Sequence, residues 1–221
     1  MSATLAIVLL WIGFAASHLG LSSVRVRARL VSRIGTGPFL GLYSIVAFLF
    51  FVPLVWIYFT NKHAGPLLWS IPLGPVLRWL LYAAMLVAYI LIVAGLFRPS
   101  PAAIVPGDPR PRGAQRLTRH PLLMGFGLFG LLHMVPNGNA ADVAFFGGFP
   151  LFVLIGCRHQ DERKLATGPV EFAAFYRETP FLPFTGSATW QGIRELGPAV
   201  VLGALGTTFL LRWFHGAWFG P

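Results

Sequence analysis

Charge is scarce in this chain. Only 11% of its 221 residues are Asp, Glu, Lys or Arg, against about 25% in an ordinary soluble domain. A surface built to face water on every side is thereby excluded. Cysteine is nearly absent too: Cys157 stands alone, which rules out an internal disulfide and any metal site made from several cysteines. No internal repeat and no separate soluble domain can be found. What fills the chain instead is apolar side chain, 56% of all residues, with a mean hydropathy of +0.70.

Those apolar residues come in runs long enough to cross hydrocarbon, which takes about 20 residues of helix. Six runs qualify: Ala3–Leu21, Phe39–Phe59, Val76–Phe97, Leu117–Val135, Ala140–Cys157 and Pro198–Phe214. The fourth and fifth are joined by "PNGN" and predict a helical hairpin; the last is interrupted by Gly203 and Gly206. The expected fold is all-α, a polytopic membrane bundle of about six helices, forming a single domain over 1–221.

The net charge of +10 is distributed as topology. Arg25, Arg27, Arg29 and Arg33 follow the first run, Arg98, Arg110, Arg112, Arg116 and Arg119 the third, and Arg158, Arg163, Lys164, Arg177 and Arg194 the fifth. The other side holds only Lys62, Arg78 and Arg212. Such alternation fits the positive-inside rule with both termini outside the cytoplasm. A nucleic-acid surface would gather its cations on one soluble module, so no nucleic-acid partner is expected. The lipid bilayer is the first partner. The N-terminal run lacks a basic segment ahead of it, which favours an uncleaved span over a secretory signal.

Two stretches lie outside the runs. "RPSPAAIVPGDPRPRG", Arg98 to Gly113, is too rich in proline for regular helix. His159 to Phe184 begins as a continuation of the fifth span. Phe172, Phe175 and Tyr176 then recur at helical spacing and predict a short interfacial helix, ended by Pro180 and Pro183.

Ionisable groups inside a bilayer are costly and point to function. His18 sits in "AASHLGLSS", His120 and His133 in "TRHPLLMGFGLFGLLHMVPNG", and His159 in "CRHQDERK". Each could simply bond a carbonyl, cap a helix or meet water, yet neutral imidazole is also the commonest metal ligand and serves haem iron. His63 and His215 receive no role. Thirteen residues of helix separate His120 from His133 by roughly 20 Å and about 220°, so the two cannot ligate one metal. Between them Gly125, Gly127 and Gly130 serve either close helix packing or room for a flat ligand. "DERK", Asp161 to Lys164, is either a solvated ion-pair face or, with Arg119, a grip on cytoplasmic loops or a polar ligand head.

In order and spacing, "HLGLSSVRVRARLVSRIGTGPFLGLYSIVA", "TRHPLLMGFGLFGLLHMVPNG", "FFGGFPLFVLIGCRHQDERK" and "EFAAFYRETPFLPF" resemble the NnrU family of bacterial membrane proteins. The resemblance runs from the start to about residue 184 and leaves 198–214 as an additional span. It implies a role in denitrification and nitric oxide metabolism, in support of nitrite and nitric oxide reductases. The related plant ζ-carotene isomerases carry haem b; their histidine pattern is matched by His18, His120 and His133. That resemblance implies axial ligation by His18 and His133, and an isomerase-like or redox activity on an apolar small molecule. One departure is Gly130, where the plant pattern has cysteine. Because His18 and His133 are expected at opposite rims, His120 stays open as the partner of His18.

A more distant pattern, "RHPLLMG" with the later charged helix end and "EFAAFYRETPFLPF", is similar to isoprenylcysteine carboxyl methyltransferases. It implies S-adenosylmethionine binding by Arg119, His120, Pro121, Gly125, Glu162, Arg163 and Tyr176, with a lipidic acceptor. A third possibility is a non-enzymatic accessory factor for a reductase. No catalytic residue is assigned.

Overall fold

Ser2 opens the first helix, its hydroxyl accepting the Leu5 N–H at 3.3 Å, as an N-cap does. The chain then runs α1 (Ala3–Ser22), α2 (Val24–Ile34), α3 (Thr36–Thr60), α4 (Pro75–Phe97), α5 (Ala114–Leu117), α6 (Pro121–Met134), α7 (Ala140–Thr167), α8 (Glu171–Glu178), α9 (Thr189–Arg194) and α10 (Pro198–Phe219). This computed structural model describes residues 1–103 and 106–219, among which the helices are joined by turns and extended stretches, with one isolated bridge between Leu67 and Asn139. The protein is an all-α polytopic membrane bundle. Five helices, α1, α3, α4, α7 and α10, are long and apolar enough to span.

The fourth expected span is shorter than its apolar run. Proline disfavours helix at the residue before it, so α6 cannot start until Pro121, and Thr118 is extended at φ −161°. Fourteen residues remain, about 21 Å of helix against about 30 Å of hydrocarbon. By contrast α7, with 28 residues, is about 42 Å long and carries His159 to Thr167 past its apolar part, as expected. Helix α8 also forms where its aromatic spacing placed it; Phe172 and Phe175 are buried with Ala102. Helix α2 was not expected. Its arginines alternate with Val24, Val26, Ala28 and Leu30, and it buries none of its residues, lying as an amphipathic strip between two spans.

The contacts divide the chain into two units, 1–71 with 133–167, and 72–132 with 168–221. In the first, α1 packs on α3 and α7 around Trp11. Its indole Nε1 donates to the Phe145 carbonyl at 3.1 Å, and its rings meet Phe14, Phe51 and Phe149 at 5.7, 6.4 and 5.1 Å. The indole covers Gly148 so closely that any side chain there would collide with it. Large ring against bare backbone gives α1 and α7 the close approach that helices in lipid need, since water drives nothing together there.

In the second unit α4 is the axis. Gly125 of α6 lies against Ala88 and Ile92, where an added Cβ would stand 2.6 Å from the Ile92 side chain; Gly95 of α4 lies as close to Leu122. The other side of α4 takes α10, with Tyr89, Val93 and Ala204 buried between them.

Candidate functional site

In the first unit, His18 is one turn from the end of α1. Its ring is enclosed by Phe14 at 4.3 Å, Tyr43 at 4.7 Å and Phe152 at 5.4 Å. Phe14 precedes it by four residues on the same helix, one turn away, while Tyr43 and Phe152 come from α3 and α7. Ser22 Oγ and Tyr43 OH both donate to the His18 backbone carbonyl, at 2.6 and 3.4 Å. Among the described residues neither ring nitrogen of His18 has a hydrogen bond. An imidazole in an apolar span with both nitrogens unclaimed is an available ligand.

His133 belongs to the same unit, in the last turn of α6. Its ring stacks on Phe146 at 4.6 Å and 20°, and its carbonyl accepts Asn137 Nδ2 at 2.8 Å. The two histidines therefore touch different levels of α7. Phe146 and Phe152 are six residues apart, about 9 Å of rise and about 120° of rotation. Axial nitrogens across one iron stand about 4 Å apart, at about 2 Å per bond. His18 thus keeps both ring nitrogens unbonded among three aromatic rings, while His133 contacts α7 at another level. Among the described residues no three His, Cys, Asp or Glu side chains converge as metal ligands.

The second unit holds the "TRHP" strip. His120 is buried, 6.0 Å from the Phe181 ring. Arg119, 7% exposed, donates through a terminal guanidinium nitrogen to the Thr179 carbonyl at 2.8 Å, and its backbone N–H to Pro180 O at 2.9 Å. The guanidinium lies over Tyr176 at 4.2 Å and Phe181 at 5.1 Å. Thr118 Oγ1 donates to Phe181 O at 2.6 Å, and Phe184 N–H to Leu117 O at 2.9 Å. An extended strip has no helical partners for its backbone, so "TPFLPF" supplies them. Beside it Gly113, at φ +57°, donates its N–H to Glu195 Oε2 at 2.8 Å, and Arg116 Nε meets the same oxygen at 3.0 Å. Burial alone would push the Glu195 carboxyl up; the Gly113, Arg116 and Gln191 donors outweigh it and hold the group below its ordinary value.

The residues implied for S-adenosylmethionine are divided. Arg119, His120, Pro121, Gly125 and Tyr176 share the second unit; Glu162 and Arg163 belong to the first. Glu162 is exposed and paired with Arg158 at 3.0 Å. The space a side chain at Gly125 would occupy is filled by α4. His159 bonds Ser22 Oγ through Nε2 at 3.1 Å.

One polar cluster was missed in the sequence. Asp142, fully buried in the first turn of α7, accepts the Tyr58 hydroxyl at 3.1 Å and the His63 backbone N–H at 3.2 Å. A carboxylate inside an apolar run, in "NAADVAFF", was the signal; the fold had to bring Tyr58 and His63 to it.

The model of the NnrU protein family matches residues 6–221. The chain is also similar to the chloroplastic 15-cis-zeta-carotene isomerase of Zea mays, 24% identical over 182 residues, which cover 80% of this chain and 48% of the relative. It thus spans about half the length of that curated relative. No solved structure matches. With its long apolar helices, its histidines and a family match that covers nearly every residue, the chain belongs to the NnrU family.

Proposed function

We propose that this chain is a haem b protein of the bacterial inner membrane, with His18 as axial ligand, acting in nitric oxide metabolism beside nitrite and nitric oxide reductases. The observation that carries the reading is the His18 imidazole, unbonded at both nitrogens within a span. Phe14, Tyr43 and Phe152 surround the ring. Ser22 and Tyr43 anchor its backbone, so the side chain stays free to ligate. Haem, when bound, supplies an iron that can exchange a diatomic ligand. The test is absorption of the purified protein after expression with haem supplied. A Soret band that responds to nitric oxide, disappears in His18→Ala and persists in His159→Ala is expected. A haem-replete preparation without that band ends the proposal.

The likeness to a carotene isomerase supports a variant of the same site, in which an elongated apolar molecule is isomerised beside the haem. A separate reading, a methyltransferase using S-adenosylmethionine on a lipidic acceptor, draws on the buried "RHP" strip. There Arg119 acts as a positioning residue that holds Tyr176. Calorimetry with S-adenosylmethionine on folded protein in detergent decides it; no heat of binding removes it. The accessory-factor reading predicts that His18→Ala leaves function intact.

A further inference from the structure

Where α7 leaves its apolar stretch, it turns a cationic face toward the end of α1 and the start of α2. His159 meets Ser22 there. Arg163 follows four residues later, on the same face of α7. Its Nε is enclosed by protein and has no hydrogen-bond partner. Arg27 of α2 lies over the Phe39 ring at 4.8 Å, and it is close enough to repel both Arg163 and Lys164, which also repel each other. The Tyr43 hydroxyl is within electrostatic reach of Arg163.

Among the described residues no carboxylate pairs with Arg27, Arg163 or Lys164. The neighbouring acid, Glu162, is tied to Arg158 and exposed. An enclosed charged donor without an acceptor is costly, and three mutually repelling cations add to that cost. The missing component is an anion.

We propose that Arg27, Arg163 and Lys164 form a binding site for a phosphate group, most directly the headgroup phosphate of an anionic phospholipid. A guanidinium fork matches phosphate oxygens in pairs, and Tyr43 and His159 border the same corner. The corner sits at the ends of the spanning helices α1, α3 and α7, beside the amphipathic α2. A lipid phosphate reaches such a position without leaving the bilayer surface, where basic residues attract anionic headgroups.

The full chain is placed in nanodiscs of equal phosphatidylcholine and phosphatidylglycerol, and retained lipid is counted by native mass spectrometry after release. Wild type is expected to hold phosphatidylglycerol selectively. Arg163→Gln and, separately, Arg27→Gln on the surface helix reduce that retention by about tenfold for one lost charge-assisted contact. Arg158→Gln, whose partner is Glu162, retains wild-type behaviour. In parallel, inorganic phosphate is titrated into delipidated protein. Heat that Arg163→Gln abolishes, with no selective lipid retention, assigns the site to phosphate from water. Equal retention of both lipids together with no phosphate heat overturns the site, as do folded Arg27→Gln and Arg163→Gln proteins that bind like wild type. The outcome is independent of whether haem is present.

Discussion

Nδ1 of His63 stands 2.9 Å from Oδ2 of Asp142, joining the loop after α3 to the first turn of α7. The carboxylate is fully buried while the imidazole is 48% exposed, so the two partners are not equivalent. Asp142 also accepts from Tyr58, whose ring stacks on Phe145 at 3.9 Å and 3°, and it sits at a helix N-terminus that favours negative charge.

Removing the carboxylate strands the buried Tyr58 hydroxyl and the His63 backbone N–H, so Asp142→Ala is expected to cost about 1–3 kcal/mol or more. Asp142→Asn keeps an acceptor oxygen and costs less. His63→Ala is milder than Asp142→Ala because Tyr58 and the backbone remain on Asp142. Yet His63 has φ 60°, where only glycine is at ease, so His63→Gly regains about 1 kcal/mol over His63→Ala. Thermal unfolding in detergent ranks the four; Asp142→Ala matching wild type would refute the assignment.

Glu195 gives a pH dependence with a defined sign. Its folded carboxyl titrates below its ordinary value, so its contribution is fully present above that value and is lost as pH falls through the folded one. Glu195→Gln should therefore melt lower than wild type at neutral pH, and the gap should close on acidification. A gap that widens toward acid would contradict this.

Gly125 separates packing from ligand space. Because Ala88 and Ile92 stand where a side chain would go, Gly125→Leu overpacks the α4 contact and costs about 1–3 kcal/mol. Had the glycine lined an open pocket, the substitution would leave melting unchanged and alter only ligand binding.

Thr118 tests the strip. It is wholly buried and its hydroxyl serves Phe181 O; Thr118→Val leaves that carbonyl unpaired, at about 1–3 kcal/mol. Arg119→Lys should destabilise as well, because an ammonium cannot lie flat on Tyr176 and Phe181 while reaching Thr179. Melting curves of Arg119→Lys and wild type that coincide would show the stack to be idle.

The spans were legible because apolar run length is a local property: α1, α3, α4 and α10 follow their runs closely, and α7 starts with its run and continues past it to Thr167. The shortening of α6 was legible too, in Pro121, but composition masked it. Helix α2 escaped because its alternating Val and Arg residues read as period 2, although Arg25, Arg29 and Arg33 recur every fourth residue and carry the helical amphipathic pattern. Histidines could be named as candidates from type and place alone.

Chain order and residue chemistry alone determined that this protein lives in a bilayer, where its basic loops fall, and which imidazoles merit a ligand. Tertiary structure decided which groups are already satisfied: the His18 ring left unbonded, Arg119 committed to Thr179, and the Arg163 Nε enclosed without an acceptor. The reason is physical. Hydrophobic length acts within one segment, whereas satisfying a buried polar atom needs a partner from a distant one, and only the packed chain brings that partner or withholds it.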